Sequence, residues 1–287
     1  MIIAAMSALL AGVLFGLYVH IQHRALDTAD SLTGAAISIG VSATLLWISS
    51  PFWMDWTWWS SSSALLFALC GLLFPAFAQL LQIRSIEKVG SSLSAAVGAF
   101  APLFAVVPAV MVLGELINLQ AALGMALMIA GLCISAIRTG TIHRTWPIWA
   151  LLLPLGAAAL RGSAQPIAKI GLNEIPSAAF ATLVMTSAST LVLAGCLLAT
   201  NRTIHGLKAK PGALWFAVSG AVNCAGILAL AYAIKVGGVT LTAPLASTAP
   251  LWALLFGALV FRRETLGYQH IVVAVLVVIG AALIITR

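Results

Sequence analysis

Long apolar blocks, each bounded by charged residues, prolines or aromatic clusters, follow one another along this chain from end to end. A helix needs about 20 apolar residues to cross the hydrocarbon core of a bilayer. Ten blocks approach that length, at residues 2 to 22, 32 to 50, 62 to 83, 92 to 113, 119 to 137, 147 to 168, 177 to 199, 212 to 234, 239 to 261 and 267 to 285. The pattern predicts an all-α membrane protein of ten transmembrane helices. Ser38, Ser42, Thr44 and Ser49 dilute the second block, where serines at helical spacing suit contact with neighbouring helices. The first block starts at Met1 without a basic region and is followed by more of the same pattern, so it reads as a spanning helix, not as a cleaved signal. The connections are too short for a soluble catalytic domain. Function must sit among the helices.

The blocks repeat at half length. A shift of 148 residues superimposes Gly90 on Gly238, Ser94 on Thr242, Ala101 on Ala249, Pro102 on Pro250 and Leu103 on Leu251. With one further residue in the second copy, Glu115 matches Glu264 and Gly131 matches Gly280; at the starts, a shift of 146 pairs Gly16 with Gly162 and His23 with Lys169. The order of the matches along the chain carries this reading. It predicts two five-helix repeats, residues 1–140 and 141–287. Because five is odd, the second repeat enters the membrane from the side opposite to the first, which makes the halves inverted.

Composition agrees with a lipid solvent. Hydrophobic residues make up 62% of the chain and charged ones 7%, and the mean hydropathy is +1.11. The net charge of +7 is scattered singly or in pairs and forms no nucleic-acid patch. Connections after odd-numbered helices hold Arg24, Arg84, Lys88, Arg138, Arg144, Arg202, Lys208, Lys210, Arg262 and Arg263, whereas the others and the tail hold Lys169, Lys235 and Arg287. By the positive-inside rule this count places both termini outside the cytoplasm. Trp53, Trp56, Trp58, Trp59, Trp146 and Trp149 fall at span ends, as interfacial anchors do. Cys70, Cys133, Cys196 and Cys224 lie in four different apolar runs without metal-ligand spacing, and read as small hydrophobes.

A small-residue first helix with Phe15-Gly16, a mid-span Pro102, the Gly114-Glu115 pair closing the fourth helix, and the echoes at Pro250 and Glu264 resemble the EamA type of the drug/metabolite transporter superfamily. The resemblance covers the whole chain. It implies ten helices in two inverted five-helix repeats and, as in many bacterial members, export of amino acids or other metabolites from an inner-membrane location. Family members often begin with lysines and carry a basic tail, which gives cytoplasmic termini; this chain has neither. Arg263 replaces the glycine before Glu264, and Arg161 stands, opposite Phe15, where the family is usually aromatic or apolar.

Arg161 is the sharpest candidate for chemistry. It lies about 12 Å inside the helix end marked by Lys169 at 1.5 Å per residue, a depth where an ionisable side chain is a functional candidate by default. Arg161, Gln165 and Lys169 recur at i, i+4 and i+8 and form one polar stripe. Two readings stand open: Arg161 grips a substrate carboxylate, or it snorkels toward the Lys169 end. Asn223, mid-span, needs a partner, either substrate or another helix. Gln79 shares a face with Gln82 near the end of the third span. Ser94, Gly98 and Pro102 form a stripe matched by Thr242, Ala246 and Pro250, which suits close packing or a cavity wall. Trp252, one turn after Thr248, is a candidate aromatic wall. The prolines Pro75, Pro102 and Pro250 are expected bends, and Gly12 and Gly16, with Ala8 and His20, form a seam that closure could use. His20, Tyr18 and Tyr232 lie near span ends, where anchoring or interfacial roles compete with proton relay or binding.

No acidic residue stands at mid-depth, so the buried first-helix glutamate on which lipophilic-cation antiport depends in the small multidrug pumps of the superfamily is missing. No HExxH, nucleophile–base pair or phosphate-cradling glycine loop supports a membrane enzyme. The leading expectation is a carrier of a small amino acid or related carboxylate, working by alternating access around Arg161, Gln165 and Asn223. Drug or other metabolite efflux is the runner-up. No cofactor or metal is expected, and the expected partners are a small-molecule substrate and the lipid bilayer, with no nucleic acid and with the protein a monomer or weak dimer.

Overall fold

The computed structural model describes residues 1–25, 31–89, 94, 97–138, 147–200, 210–260 and 268–286. Gly90, Trp146, Arg262, Arg263, Glu264 and Arg287 therefore lie outside the described residues. All regular structure within them is helical: α1 (Ile2–Ala25), α2 (Ser31–Ser49), α3 (Ser62–Gly71), α4 (Ala78–Val89), α5 (Ala101–Leu113), α6 (Leu119–Arg138), α7 (Leu152–Glu174), α8 (Ala178–Ala199), α9 (Lys210–Gly237), α10 (Val239–Ala246), α11 (Ala249–Leu259) and α12 (Tyr268–Ile285), besides short 3-10 turns. Six stretches are long and apolar enough to cross a membrane, namely Ile2–Gln22, Leu32–Phe52, Ser62–Ser85, Ala178–Ala199, Leu214–Gly237 and Val239–Leu259. Three shorter apolar helices, Ala101–Leu113, Leu119–Ile134 and Val272–Ile285, accompany them. The polar stripe keeps α7 out of this set, although its 23 residues give it the length. The chain is a multi-pass membrane protein.

Polar side chains set the helix starts. Ser61 accepts a hydrogen bond from the Ser63 amide at the head of α3, and Ser177 from the Phe180 amide at the head of α8. Gly114, at φ +66°, closes α5 in the left-handed conformation that costs glycine least. The prolines interrupt. Between α3 and α4 the chain makes a π turn over Leu72–Phe77, within which Phe74 is extended at φ −146° and ψ 127°. A proline disfavours the helical region for the residue before it, and Pro75 has no amide hydrogen to continue the ladder. Turns also fall at 99–100 and 247–248, and Pro102 and Pro250 stand second in the helices that follow.

Small residues govern packing. α1 lies against α9, α10 and α11; α7 lies against α3, the π turn, α4 and α5; α6 pairs with α12. A Cβ built on Gly16 would come 2.7 Å from Trp252 Cβ and 2.9 Å from Ala249 O, and one on Gly162 would come 2.6 Å from Phe104 Cβ and 2.5 Å from Ala101 O. Ser42 donates to Gly220 O at 2.8 Å, while Ser189 donates to Gly71 O at 2.7 Å. A Cβ on Gly124 would meet Gly280 O at 2.6 Å, and the reciprocal contact is 2.5 Å. Lipid is as apolar as leucine, so close backbone approach and inter-helix hydrogen bonds carry the association.

Candidate functional site

One turn of α7 separates Arg161 from Gln165, and both are half-buried. The guanidinium carbon of Arg161 lies 5.6 Å from the centre of the Phe74 ring, within range of a cation–π contact. Its Nε and the Oε1 of Gln165 are buried with no hydrogen-bond partner among the described residues. Such an orphaned group costs about 1–3 kcal/mol, and more when charged. A bound polar group would recover that. Next to Arg161, Gly162 is pressed against Ala101 O and Phe104, so the arginine lies between two interrupted segments, the π turn and the start of α5. Irregular backbone at membrane depth is tolerated where protein buries it or a cavity lies beside it. The third span thus contributes the Phe74 ring to the surroundings of the guanidinium.

The stripe ends in a different way at Lys169, whose Nζ donates to Ile234 O at 3.0 Å and Lys235 O at 3.1 Å. There a cation meets the carbonyl end of α9, where the helix dipole favours it. Asn223 is buried at 6% exposure in α9, which packs on α1 and also touches α7. Gln79 is half-buried in the first turn of α4, just after the π turn. Ser94 and Thr242 spend their hydroxyls inside the protein, on Ser85 Oγ at 2.5 Å and Gly238 O at 2.7 Å. Trp252 donates from Nε1 to Thr248 Oγ1 at 3.2 Å, which holds the indole along α11. α1 runs unbroken through Gly12 and Gly16, which serve as contact points: a Cβ on Gly12 would lie 2.6 Å from Thr248 Oγ1. His20 donates from Nε2 to Ala253 O at 2.6 Å, which extends the same seam.

A family model for the EamA-like transporter family matches residues 2–137 and, separately, 148–286. The chain belongs to the EamA-like transporter family. A relative from Sinorhizobium sp., described as an uncharacterized transporter in the cobO 3' region, is 32% identical over 145 residues, which are 50% of this chain and 98% of the relative. A solved crystal structure shares the fold with a TM-score of 0.79 at 14% identity, over 98% of this chain and 95% of the other. Family and relative point to transport and not to catalysis.

This EamA-like chain also has polar contacts that reading along the sequence does not find. Glu115 accepts from the amides of Val239 at 2.8 Å and Thr240 at 2.7 Å, capping α10 from 124 and 125 residues away. Gly238, at φ +76°, has no room for a side chain, because a Cβ there would lie 2.9 Å from Glu115 Oε1. The Gly114-Glu115 pair was the available signal: the left-handed glycine ends α5 just before the carboxylate that caps α10. Glu174 gathers hydrogen bonds from Ser61, Ser62 and Ser63, joining the end of α7 to the start of α3. Phe74 gave no signal as a site residue. A cleft of about 530 Å³ opens between α1, the head of α8 and α9, lined by residues that include Leu10, Ser177, Tyr232 and Lys235; of the residues weighed above for binding, Tyr232 lines it, and Arg161, Gln165 and Asn223 do not.

Proposed function

We propose that this transporter carries a small amino acid or a related carboxylate across a bacterial inner membrane, by alternating access between two inverted five-helix halves. One observation carries the substrate class: an unpaired donor on Arg161 and an unpaired acceptor on Gln165 lie one helical turn apart and buried. A guanidinium fork suits a carboxylate, and an amide oxygen suits an ammonium group. An α-amino acid offers both at short separation. Cationic drugs lack the first, so efflux of such compounds fits this pair poorly.

Several observations support the two-half reading. The family model matches twice, once in each half. The Sinorhizobium relative aligns over almost its whole length to half of this chain. Contacts recur at half-chain offsets: Gly16 against Ala249 and Trp252 corresponds to Gly162 against Ala101 and Phe104, and Ser42 on Gly220 corresponds to Ser189 on Gly71. Each pair crosses from one half to the other in the opposite sense, as expected for a pseudo-two-fold axis between the halves; five helices in each half would turn that axis into the membrane plane.

The test is flux. Purified protein in liposomes, given a panel of labelled amino acids, should show saturable transport of at least one above empty vesicles. Arg161→Gln should lower that flux at least tenfold while the melting temperature stays within a few degrees, and Arg161→Lys should retain only part of it. An absence of saturable flux across the panel overturns the substrate class.

A further inference from the structure

We propose that Phe74 is a positioning residue of the substrate site: its ring lies against the Arg161 guanidinium and limits how far the fork can swing, so that a carboxylate meets it in one orientation. This rests on the amino-acid reading above and extends it to the third span. The local cause is Pro75. A proline drives the preceding residue out of the helical region, and Phe74 is extended in the middle of an otherwise helical span. In a continuous helix the Phe74 side chain would follow the helical progression of its neighbours. Here the interrupted backbone delivers it to α7, with the ring centre 5.6 Å from the guanidinium carbon.

That placement has a chemical consequence. An arginine flanked only by apolar side chains can swing, and a swinging fork loses the bidentate geometry that distinguishes carboxylates from other anions. With the ring on one side of the guanidinium and the Nε donor unpaired, that donor is left for a ligand. Pro75 itself is buried and Gly71 O, just before the π turn, is taken by Ser189 Oγ, so the interruption is fixed from α8. The site's selectivity is thereby tied to the shape of the third span.

The experiment uses full-length protein in liposomes and two readouts. For the labelled amino acid with the largest flux, Phe74→Leu should raise KM about five- to tenfold and change maximal flux less than twofold, and Phe74→Tyr should recover most of the affinity lost in Phe74→Leu. Pro75→Ala, by straightening the span, should resemble Phe74→Leu. Independently of any substrate, phenylglyoxal modification of Arg161, followed by mass spectrometry, should be several-fold faster in Phe74→Leu than in wild type. Unchanged KM and unchanged labelling in Phe74→Leu overturn the positioning role and leave the amino-acid reading intact if Arg161→Gln still abolishes flux. A loss of maximal flux with unaltered KM, or no recovery by Phe74→Tyr, also overturns it, since that is the mark of a merely structural ring.

Discussion

Gly162 and Gly195 are both helix-interior glycines, yet a methyl group added to each should act in opposite directions. A Cβ at Gly162 would lie 2.5 Å from Ala101 O and 2.6 Å from Phe104 Cβ, so Gly162→Ala must push α5 from α7, at about 1–3 kcal/mol of stability. At Gly195 nothing lies within 4 Å, and Gly195→Ala should stabilise α8 by about 0.5–1 kcal/mol. Thermal unfolding in detergent of the two variants beside wild type checks the sign of each; equal melting points would mean that α5 and α7 are not in backbone contact. Arg161 and Gln165 stood out in the sequence because an i, i+4, i+8 polar stripe is rare on an apolar helix, and the structure leaves one polar atom of each buried without a partner. Phe74 did not stand out, being one of 11 phenylalanines in a chain rich in apolar blocks. Its distinction comes from what Pro75 does to its backbone and from how closely α7 approaches.

Helix ends are where charge acts in this protein. Glu115 takes the first two amides of α10, so Glu115→Gln should cost about 1 kcal/mol by weakening a charge-assisted cap, and Glu115→Ala somewhat more. A melting temperature unaltered in both variants would remove the cap from the account. Glu174, outside the predicted spans, is held below the ordinary glutamate range by hydrogen bonds from Ser61 and Ser63, against a smaller opposing effect of desolvation, with Ser62 adding to the lowering. Asp55 is lowered in the same way by the Thr57 amide and hydroxyl. A carboxyl group with a depressed folded pKa stabilises the fold above its unfolded value, about 4.3 for glutamate, and loses that contribution as pH falls through the folded pKa. The melting temperature should therefore drop on acidification below about pH 4, and Glu174→Gln should flatten the drop while leaving the profile between pH 6 and 8 parallel to wild type. The interruptions at Pro75, Pro102 and Pro250 were readable from the sequence, since proline acts on its own neighbours. The partner of Glu115 was not, because nothing local marks an amide in the other half of the chain.

For the molecule as a whole, the distribution of basic residues predicts a direction in the bilayer. Ten basic residues in the connections after odd-numbered spans predict that the Asp55 connection faces outward. In a background free of Cys70, Cys133, Cys196 and Cys224, Asp55→Cys should react with a membrane-impermeant maleimide added outside intact cells, and Arg263→Cys only after permeabilisation. The reverse pattern would place the termini in the cytoplasm, as the family resemblance implies. The contact of Arg161 with Phe74 bears on the same scale, because it joins the polar stripe of α7 to the third span.

The apolar blocks by themselves determined that this protein crosses a membrane repeatedly, and the sequence marked three prolines and the polar stripe of α7, because these follow from residue type and spacing along one segment. Only the tertiary structure decided that Arg161 rests under Phe74, that Lys169 and Glu115 grip the end of α9 and the start of α10, and that Ser94 and Thr242 spend their hydroxyls internally. The physical reason is that a buried polar atom in lipid takes whatever partner the neighbouring helix brings, and helix adjacency is set by where small residues allow backbones to meet.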